Sequence, residues 1–424
     1  MSKEMKEYMQ LLRNELIPAF GCTEPIALAF AAAKAVEVLG CFPDRINVQC
    51  SGNIIKNVKS VIIPNSGGKK GIEYAAILGA LVAKPDKGLE LLKGVSDADR
   101  IRAEELYEAG LCTVELLPEV ENLHICAEAS SKGINVAVTV EKDHTHVSRI
   151  ERNGEIIYLA PCSENSFETL NNEVKLNFED IYEFAAQSDL SEIEDILALQ
   201  AEYNLSIAEE GLRKAYGANI GKLFREESGG FAGVEQKAKA YASAASDARM
   251  SGCAKPVVIN AGSGNQGITV SLPVLVYAEH YGKNREELYR ALLFSNLTGI
   301  YIKQGIGRLS AYCGVVSAAA AGMAGVAFLL NEPKKVVAET LVNALATLSG
   351  TICDGAKPSC ALKIATSVDA AIMAYKQAKS NNSFHSGDGI VKGSVDATIE
   401  AVCTIGRKGM KETDTVILKT MLAK

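Results

Sequence analysis

Residues 350–363 read GTICDGAKPSCALK and separate two long runs that have helical periodicity. An uncharged helical pattern ends near Gly350, Pro358 prevents the helix from continuing, and the apolar periodicity resumes after Cys360. A cysteine in such a break lies on a constrained turn with free backbone N–H groups nearby, an arrangement that holds a thiolate against a metal or cluster. The alternative is that Cys353 and Cys360 are small apolar residues that fill the core.

Two more cysteines lie at similar breaks. Cys22 precedes a helical run that continues to residue 39, and we expect Thr23 to be its N-cap with Pro25 in the first turn. Cys313 lies where a basic, glycine-punctuated segment meets an Ala-rich run. The positive end of a helix and nearby cations lower the pKa of a thiol. The sequence therefore favours thiolate character at both positions, with ordinary loop or core cysteines as the alternative.

The remaining patterns predict an α+β fold with a mainly helical body. Alternating apolar residues predict a strand at 45–51, and further strands are predicted at 58–64, 114–117, 123–129, 135–140, 147–152 and 155–159, with 52–57 as a polar turn. Helical periodicity predicts helices at 3–16, 23–39, 72–83, 86–93 and 97–109, and nearly everywhere beyond a linker at 165–174. We expect N-terminal helices of the catalytic domain at 1–43, an inserted α+β domain at 44–160, and the helical catalytic domain at 161–424.

Composition narrows the class of protein. The 424 residues are 48% hydrophobic and 22% charged, which is typical of a soluble globular chain, and a net charge of −7 without a basic run argues against nucleic-acid binding. The 11 cysteines follow no regular spacing, and the N-terminus begins a charged helix rather than a signal peptide. We therefore expect a cytoplasmic protein whose cysteines are thiols or metal ligands.

Two uncharged runs, at 256–278 and 309–331, are long enough to cross a bilayer. Discontinuous helices occur in transporters, so a membrane protein is one alternative. However, the first run is interrupted by glycines and a proline, the second is mostly Ala, Gly and Ser, and no aromatic belt accompanies them. We expect both to be buried core helices.

A glycine-rich loop at 260–267 reads NAGSGNQG. Its backbone N–H groups and the side chains of Ser263, Asn265 and Gln266 suit a substrate carboxylate, and Ile268 could begin a helix whose N-terminus faces it. It lacks the Lys-Ser/Thr ending of a P-loop, and a hinge between packed helices is the alternative. Asn53, in the polar turn at 52–57, is a further candidate for substrate binding.

His144 and His146 lie in a strand-like stretch with a spacing that suits a metal. Two histidines without a partner motif are usually surface residues, and we expect that here.

Five motifs together resemble the iron–sulfur, PLP-independent L-cysteine desulfidases, which are related to the α-chain of bacterial iron–sulfur L-serine dehydratases. The resemblance covers essentially the whole chain. It depends on GCTEP at 21–25, SGNIIKN at 51–57, GSGNQG at 262–267, GRLSAYCG at 307–314 and CDGAKPSCALK at 353–363. It implies a [4Fe–4S] cluster held by Cys22, Cys313 and Cys353, with one iron left open for a substrate. Cys360 remains an alternative to Cys353.

The implied reaction is α,β-elimination of a small amino acid, in which a base removes the α-proton. Lys56, Lys303 and Lys363 are the candidate bases, and Lys357 and His280 are weaker ones. L-cysteine is expected rather than L-serine because a thiolate is a softer ligand for iron and a better leaving group. L-serine dehydration, a cluster protein without turnover, and the transporter class are the alternatives. No membrane or nucleic-acid partner is expected, and a homo-oligomer is compatible with the sequence.

Overall fold

The computed structural model describes residues 3–161, 174–226 and 230–423. A mainly helical body carries one six-stranded sheet, which confirms the predicted α+β class. The linker prediction at 165–174 lies almost wholly outside the described residues. The helices are α1 (Lys3–Glu15), α2 (Thr23–Leu39), α3 (Gly52–Val58), α4 (Ile72–Val82), α5 (Asp97–Glu108), α6 (Phe178–Gln187), α7 (Glu194–Arg213), α8 (Ile220–Glu226), α9 (Val234–Met250), α10 (Gly264–His280), α11 (Arg285–Ile306), α12 (Gly314–Leu329), α13 (Lys334–Leu348), α14 (Cys360–Lys379), α15 (Val395–Thr404) and α16 (Lys411–Leu422).

The large sheet is formed by six strands between residues 45 and 159. The strands are β2 (Arg45–Ser51), β3 (Cys112–Leu117), β4 (His124–Ser131), β5 (Ile134–Glu141), β6 (Val147–Arg152) and β7 (Glu155–Leu159), in the spatial order β3-β2-β4-β5-β6-β7. β2 and β3 are parallel and the other neighbours are antiparallel. Alternation along β2 buries Ile46, Val48 and Cys50, and helices α2 and α4 pack against the sheet.

A second, two-stranded sheet brings the start of the chain to the centre of the helical body. β1 (Pro18–Ala19) pairs antiparallel with β8 (Val257–Val258). The residues after β1 lead to Cys22 and α2, and the residues after β8 lead to the glycine-rich loop and α10. Two motifs that are about 240 residues apart in the sequence therefore lie side by side.

The helical body packs through small residues. α10 is buried along nearly its whole length among α9, α11 and α12. A Cβ added at Gly322 on α12 would lie 2.9 Å from the carbonyl oxygen of Thr269, so these two helices approach too closely for a larger residue there. This close packing of buried helices explains why the runs at 256–278 and 309–331 carry no charge. None of the described helices is long and apolar enough to span a membrane.

Two predictions around residue 58 are wrong. Residues 52–57 form most of helix α3 rather than a turn, because Ser51 caps the helix by accepting a hydrogen bond from the backbone N–H of Ile54. Residues 58–64 form no strand, although the run is rich in Val and Ile. Both edges of β2, the strand that precedes this run, are occupied by β3 and β4, and the run packs largely in the core as irregular chain without joining the outer strands β3 or β7.

Candidate active site

Cys313 and Cys353 lie on neighbouring stretches of chain. Tyr312 and Ile352 form an isolated antiparallel bridge. The backbone N–H of Cys313 donates to Thr351 O at 3.1 Å, and that of Cys353 donates to Ala311 O at 2.6 Å. Since side chains alternate along extended chain, the two cysteines, one on each side of the bridged pair, project to the same face. Helix α12 begins immediately after Cys313, which is its N-cap.

Cys360, the first residue of α14, lies near this pair. Electrostatic interaction joins its thiol to both Cys313 and Cys353. Cys360 also packs against a small apolar group made of Cys22, Val61 and Met250. The structure thus places Cys360 beside the Cys313–Cys353 pair on one side and beside the group that contains Cys22 on the other.

The thiols of Cys22 and Cys313 are neutral, contrary to the expectation from the sequence. Burial raises the pKa of Cys22 well above its usual value, and the Glu24 carboxylate raises it further. Burial also raises the pKa of Cys313 to about 12, with a smaller contribution from Cys353. Cys22 rather than Thr23 is the N-cap of α2, so both cysteines do lie at helix N-termini. The cost of burying a thiolate exceeds the stabilisation that a helix end provides.

Glu24 is a buried carboxylate beside Cys22. The Cys22 thiol donates to Glu24 Oε2 at 3.2 Å, and Asn57 Nδ2 donates to Oε1 at 3.1 Å. Against the cost of burial, His144, the hydrogen bond from Cys22 and the Arg249 guanidinium hold the pKa of Glu24 below its usual value. An ionised acceptor therefore lies next to the Cys22 thiol.

His144 is buried, so the expectation of a surface residue is wrong. It lies in the turn between β5 and β6, and only 2% of its surface is exposed. Its Nε2 atom has no hydrogen-bond partner in the structure, and burial lowers its pKa against the opposing effect of Glu24 and Asp143. His146 lies nearby in sequence, where Nδ1 is 3.2 Å from Glu141 O. The unusually long turn at 142–146, between strands that otherwise meet in short hairpins, was a signal that this segment has a further role.

The glycine-rich loop lies between the two cysteine regions. Thr23 Oγ1, next to Cys22, donates to Gly262 O at 3.3 Å. At the other end, a Cβ added at Gly314 would lie 3.0 Å from both amide heteroatoms of Gln266, so this amide packs against the residue that follows Cys313. Helix α10 begins at Gly264 with Ser263 as its N-cap, four residues earlier than expected. The N-terminus of the helix is thus inside the loop.

Two arginines reach the loop from other elements. The buried Arg249, at the end of α9, donates from Nη1 to Asn265 Oδ1 at 3.1 Å and from Nε to Gly21 O at 3.1 Å. Arg308 Nη1 would lie 2.8 Å from a Cβ at Gly262, and Arg308 forms ion pairs with Glu15 and Asp143. Sequence reasoning missed Arg249. One signal was present, since Arg249 and Asp247 are the charged residues in the Ala/Ser-rich run at 240–254.

Lys303 lies in the last turn of α11, buried near the cysteine pair. Burial lowers the pKa of Lys303 to about 8, the thiols of Cys353 and Cys313 act in the opposite direction, and Lys56 contributes to the lowering. Among the residues that the structure describes, no carboxylate lies within ion-pair distance of its ammonium group. The neutral form of Lys303, which is able to accept a proton, is therefore more populated near physiological pH than it is for an exposed lysine, although the ammonium form still predominates.

The other candidate bases already have partners. Lys56 is buried and forms an ion pair with Asp414. Lys363 pairs with Asp354 and donates to Ile352 O at 2.9 Å, and the Asp354 carboxylate raises its pKa against the effect of burial. Lys357 pairs with Asp354 as well. His280 is exposed at the C-terminal end of α10, the end opposite the glycine-rich loop.

Asn53 is buried on α3 and lies beside a large cavity. Its Nδ2 donates to Asp414 Oδ2 at 2.7 Å and is 3.3 Å from Asn122 Oδ1. Asn53 Oδ1 has no hydrogen-bond partner in the structure. The structure thus groups Asn53 with Lys56 and Asp414, and groups Asn265 with Arg249.

Comparison with known proteins identifies one matching family model and several similar chains. The family model for the serine dehydratase alpha chain matches residues 86–419. The chain is 46% identical over 421 residues to a UPF0597 protein of Finegoldia magna, covering 99% of this chain and 100% of that protein. It is 46% identical to a UPF0597 protein of Lachnoclostridium phytofermentans, covering 98% and 99% of the two chains, and 42% identical to one of Treponema denticola, covering 98% of each.

Proposed function

This chain belongs to the serine dehydratase alpha-chain family, and from that membership we propose that it is a lyase acting on a small amino acid. We propose L-cysteine as the substrate, with pyruvate, ammonia and hydrogen sulfide as products. One observation carries the proposal: a buried Lys303, unpaired with any described carboxylate, lies beside the adjacent thiols of Cys313 and Cys353.

The thiols fit the [4Fe–4S] cluster that the resemblance to iron–sulfur desulfidases implies. Thiolates are the usual ligands of such clusters, and the thiols of Cys313, Cys353 and Cys360 are close enough to interact electrostatically. Within the described parts of the chain, no three His, Cys, Asp or Glu side chains are arranged to hold a metal ion, so the convergence of Cys22 on the other two stays a prediction.

We propose Cys22, Cys313 and Cys353 as the residues that hold the cluster. A bound cluster with an open iron would supply a Lewis acid that polarises the β-substituent of the substrate. Glu24 accepts the hydrogen bond of the Cys22 thiol, and the proton of that thiol must leave before Cys22 can bind iron.

The substrate carboxylate is assigned to the start of α10. The backbone N–H groups at this helix N-terminus attract an anion, and the Arg249 guanidinium packs against the Gly264 backbone beside them. Arg249 also holds Asn265 through its Oδ1, so the amide group of Asn265 is directed by the guanidinium. This arrangement would orient the substrate with its carboxylate at the loop and its side chain toward the cysteines.

Lys303 is the proposed general base. Its neutral amine accepts the α-proton, the electron pair of the Cα–H bond forms the Cα–Cβ double bond, and the Cβ–S bond breaks to release sulfide. The resulting 2-aminoacrylate takes up a proton at Cβ to give the imine, and water hydrolyses the imine to pyruvate and ammonia. Burial of Lys303 favours the neutral form before the reaction and thus supports this role.

L-serine is the second candidate substrate, because the matching family is described as the serine dehydratase alpha chain. The same residues would serve, with water leaving from Cβ instead of sulfide. L-cysteine is preferred because a thiol is a softer ligand for iron and leaves more readily than a hydroxyl group.

Anaerobic purification, reconstitution with iron and sulfide, and assay of pyruvate from each amino acid test the proposal. We expect a higher kcat/KM for L-cysteine than for L-serine, and a higher value for L-serine would favour the dehydratase. Lys303→Gln should remove most activity with either substrate. Lys335→Gln, at an exposed lysine on α13, serves as the matched control. A fully loaded protein that converts neither amino acid would instead favour a cluster protein without turnover.

A further inference from the structure

Three buried amide side chains connect the glycine-rich loop to the helix that carries Lys303. Gln200 lies on α7, Asn296 lies on α11, and Asn260 is the first residue of the loop at 260–267. Gln200 and Asn296 have no exposed surface, and only 1% of Asn260 is exposed. Buried amides whose hydrogen bonds are satisfied by one another specify a single arrangement of the elements that carry them.

Asn296 is at the centre of this group. Its Oδ1 atom accepts from Asn260 Nδ2 at 3.0 Å and from Gln200 Nε2 at 3.0 Å. Its Nδ2 atom donates to Gln200 Oε1 at 2.7 Å and to Leu292 O at 2.8 Å. Asn260 Nδ2 also donates to Asn296 O at 3.2 Å, so the loop is bonded to both the side chain and the backbone of α11. Because both polar atoms of the Asn296 side chain are engaged, the orientation of this amide is fixed.

Asn260 extends this contact to the start of α10. Two backbone hydrogen bonds of 3.1 Å close the turn, one from the N–H of Asn260 to Ser263 O and one from the N–H of Ser263 to Asn260 O. Ser263 is the N-cap of α10, where the substrate carboxylate is proposed to bind. The position of the carboxylate site therefore depends on where Asn260 is held.

Lys303 follows Asn296 by seven residues on the same helix. Seven residues are about two turns of an α-helix, so both side chains lie on nearly the same face of α11. Gly299 lies between them, and a Cβ there would be 3.3 Å from Asn260 Oδ1, so the loop packs on α11 between Asn296 and Lys303. Since α11 is continuous over Arg285–Ile306, a shift of the loop along this helix is also a shift relative to Lys303.

We propose that Asn260 and Asn296 are positioning residues for the elimination. Their contact sets the distance between the start of α10, which holds the substrate carboxylate, and Lys303, which accepts the α-proton. Proton transfer needs the reacting atoms in near contact, and a misplacement of 1 Å costs about 10²-fold in rate. The inference rests on the proposed function for the roles of α10 and Lys303, and it adds a determinant of kcat that touches neither the substrate nor the cluster.

Asn260→Ala removes the contact from the loop side and leaves α11 unchanged. We expect kcat for L-cysteine in the reconstituted enzyme to fall by about 10–100-fold, because the bound substrate is no longer aligned with Lys303. KM should change by less than about threefold, since Ser263, Asn265 and Arg249 are retained. A rise of KM at unchanged kcat would overturn the proposal.

Gly299→Ala perturbs the same contact without removing a hydrogen-bonding group. The added Cβ displaces Asn260 from α11 by a few tenths of an ångström. Alanine also favours a helix over glycine, so this variant should fold like the wild type. We expect kcat to be about three- to tenfold lower than in the wild type. Wild-type kcat in both Gly299→Ala and Asn260→Ala would refute the positioning role.

Asn343→Leu is the matched control for the loss of a buried amide. Asn343 on α13 has no exposed surface, and its Oδ1 accepts from the backbone N–H of Phe384 at 3.1 Å, so it holds a loop that contributes no residue to the proposed site. This variant should lose stability to urea much as Asn260→Ala does, while kcat per bound iron stays at the wild-type value. An equal fall of kcat in Asn343→Leu and Asn260→Ala would assign the loss to stability and contradict the proposal.

Hydrogen exchange supplies a measurement that needs neither cluster nor turnover. In the full-length chain, the backbone N–H groups at 260–267 should exchange at least about tenfold faster in Asn260→Ala than in Asn343→Leu, because the loop loses its attachment to α11. Equal exchange in the two variants would show that the amides do not hold the loop. A wild-type enzyme that converts neither amino acid would refute the proposed function, and with it the role toward Lys303, whatever the exchange result.

Discussion

Replacing Gly355 with alanine tests how the segment that carries Cys353 is held in place. Gly355 has a φ of +90°, and a Cβ there would lie 2.2 Å from the carbonyl oxygen of Lys56 and 2.9 Å from its carbonyl carbon. The left-handed conformation costs a non-glycine residue about 1–2 kcal/mol. Relief of the overlap with the α3 backbone costs about 1–3 kcal/mol more, as overpacking does elsewhere. Gly355→Ala should therefore lower the free energy of unfolding by about 2–5 kcal/mol.

Urea denaturation followed by circular dichroism measures this change, with Gly350→Ala as the control in the same segment. A Cβ at Gly350 would meet no atom within 4 Å, so we expect that variant to remain within about 0.5 kcal/mol of the wild type. Because Cys353 lies two residues from Gly355, the variant should also retain less iron after anaerobic reconstitution. Equal stability of the two variants would refute the close packing of Gly355 on Lys56 and the argument built on it.

Four further predictions concern the reaction. Lys303→Gln should reduce kcat by about 10²–10⁴-fold, the usual contribution of a general base. In the wild type, kcat/KM should rise with pH as Lys303 loses its proton around pH 8, because only the neutral amine accepts the α-proton, and a profile that is flat from pH 6.5 to 9 would argue against this base. Asn265→Ala should raise KM for L-cysteine more than it lowers kcat, and an unchanged kcat/KM would exclude a contact with the substrate. Cys353→Ser should abolish both iron retention and activity, whereas Cys126→Ser in β4 should alter neither, and iron loss in Cys360→Ser but not in Cys353→Ser would move the ligand to Cys360.

The strands show where the local sequence pattern is sufficient to predict the structure. Residues 45–51, 147–152 and 155–159 form strands with the predicted bounds. At 45–51 apolar and polar residues alternate, which is a property of the strand itself. The same reasoning failed at 58–64, where a run rich in Val and Ile joins no sheet. Whether a β-prone run becomes a strand depends on a partner elsewhere in the chain.

The candidate site likewise has features that the local sequence predicts and features that depend on tertiary contacts. Cysteines at helix breaks were visible in the sequence, and Cys22, Cys313 and Cys360 do lie at helix starts. The pKa values of Cys22 and Cys313 were predicted in the wrong direction, because burial depends on what packs around a thiol and local sequence does not contain that information. His144 was misjudged for the same reason, since a hairpin turn that is exposed in isolation here packs against the glycine-rich loop.

The sequence by itself determined the family and the α+β class, because motifs and hydrophobic periodicity are local properties of the chain. Only the tertiary structure separated the lysines, which look alike in sequence: Lys56 and Lys363 have carboxylate partners, while Lys303 is buried beside the cysteine pair. It also brought Arg249 to the glycine-rich loop, where it donates a hydrogen bond to Asn265 Oδ1. These outcomes depend on contacts between residues far apart in the chain, and the protonation of a buried group follows from the charges and dipoles that folding places around it.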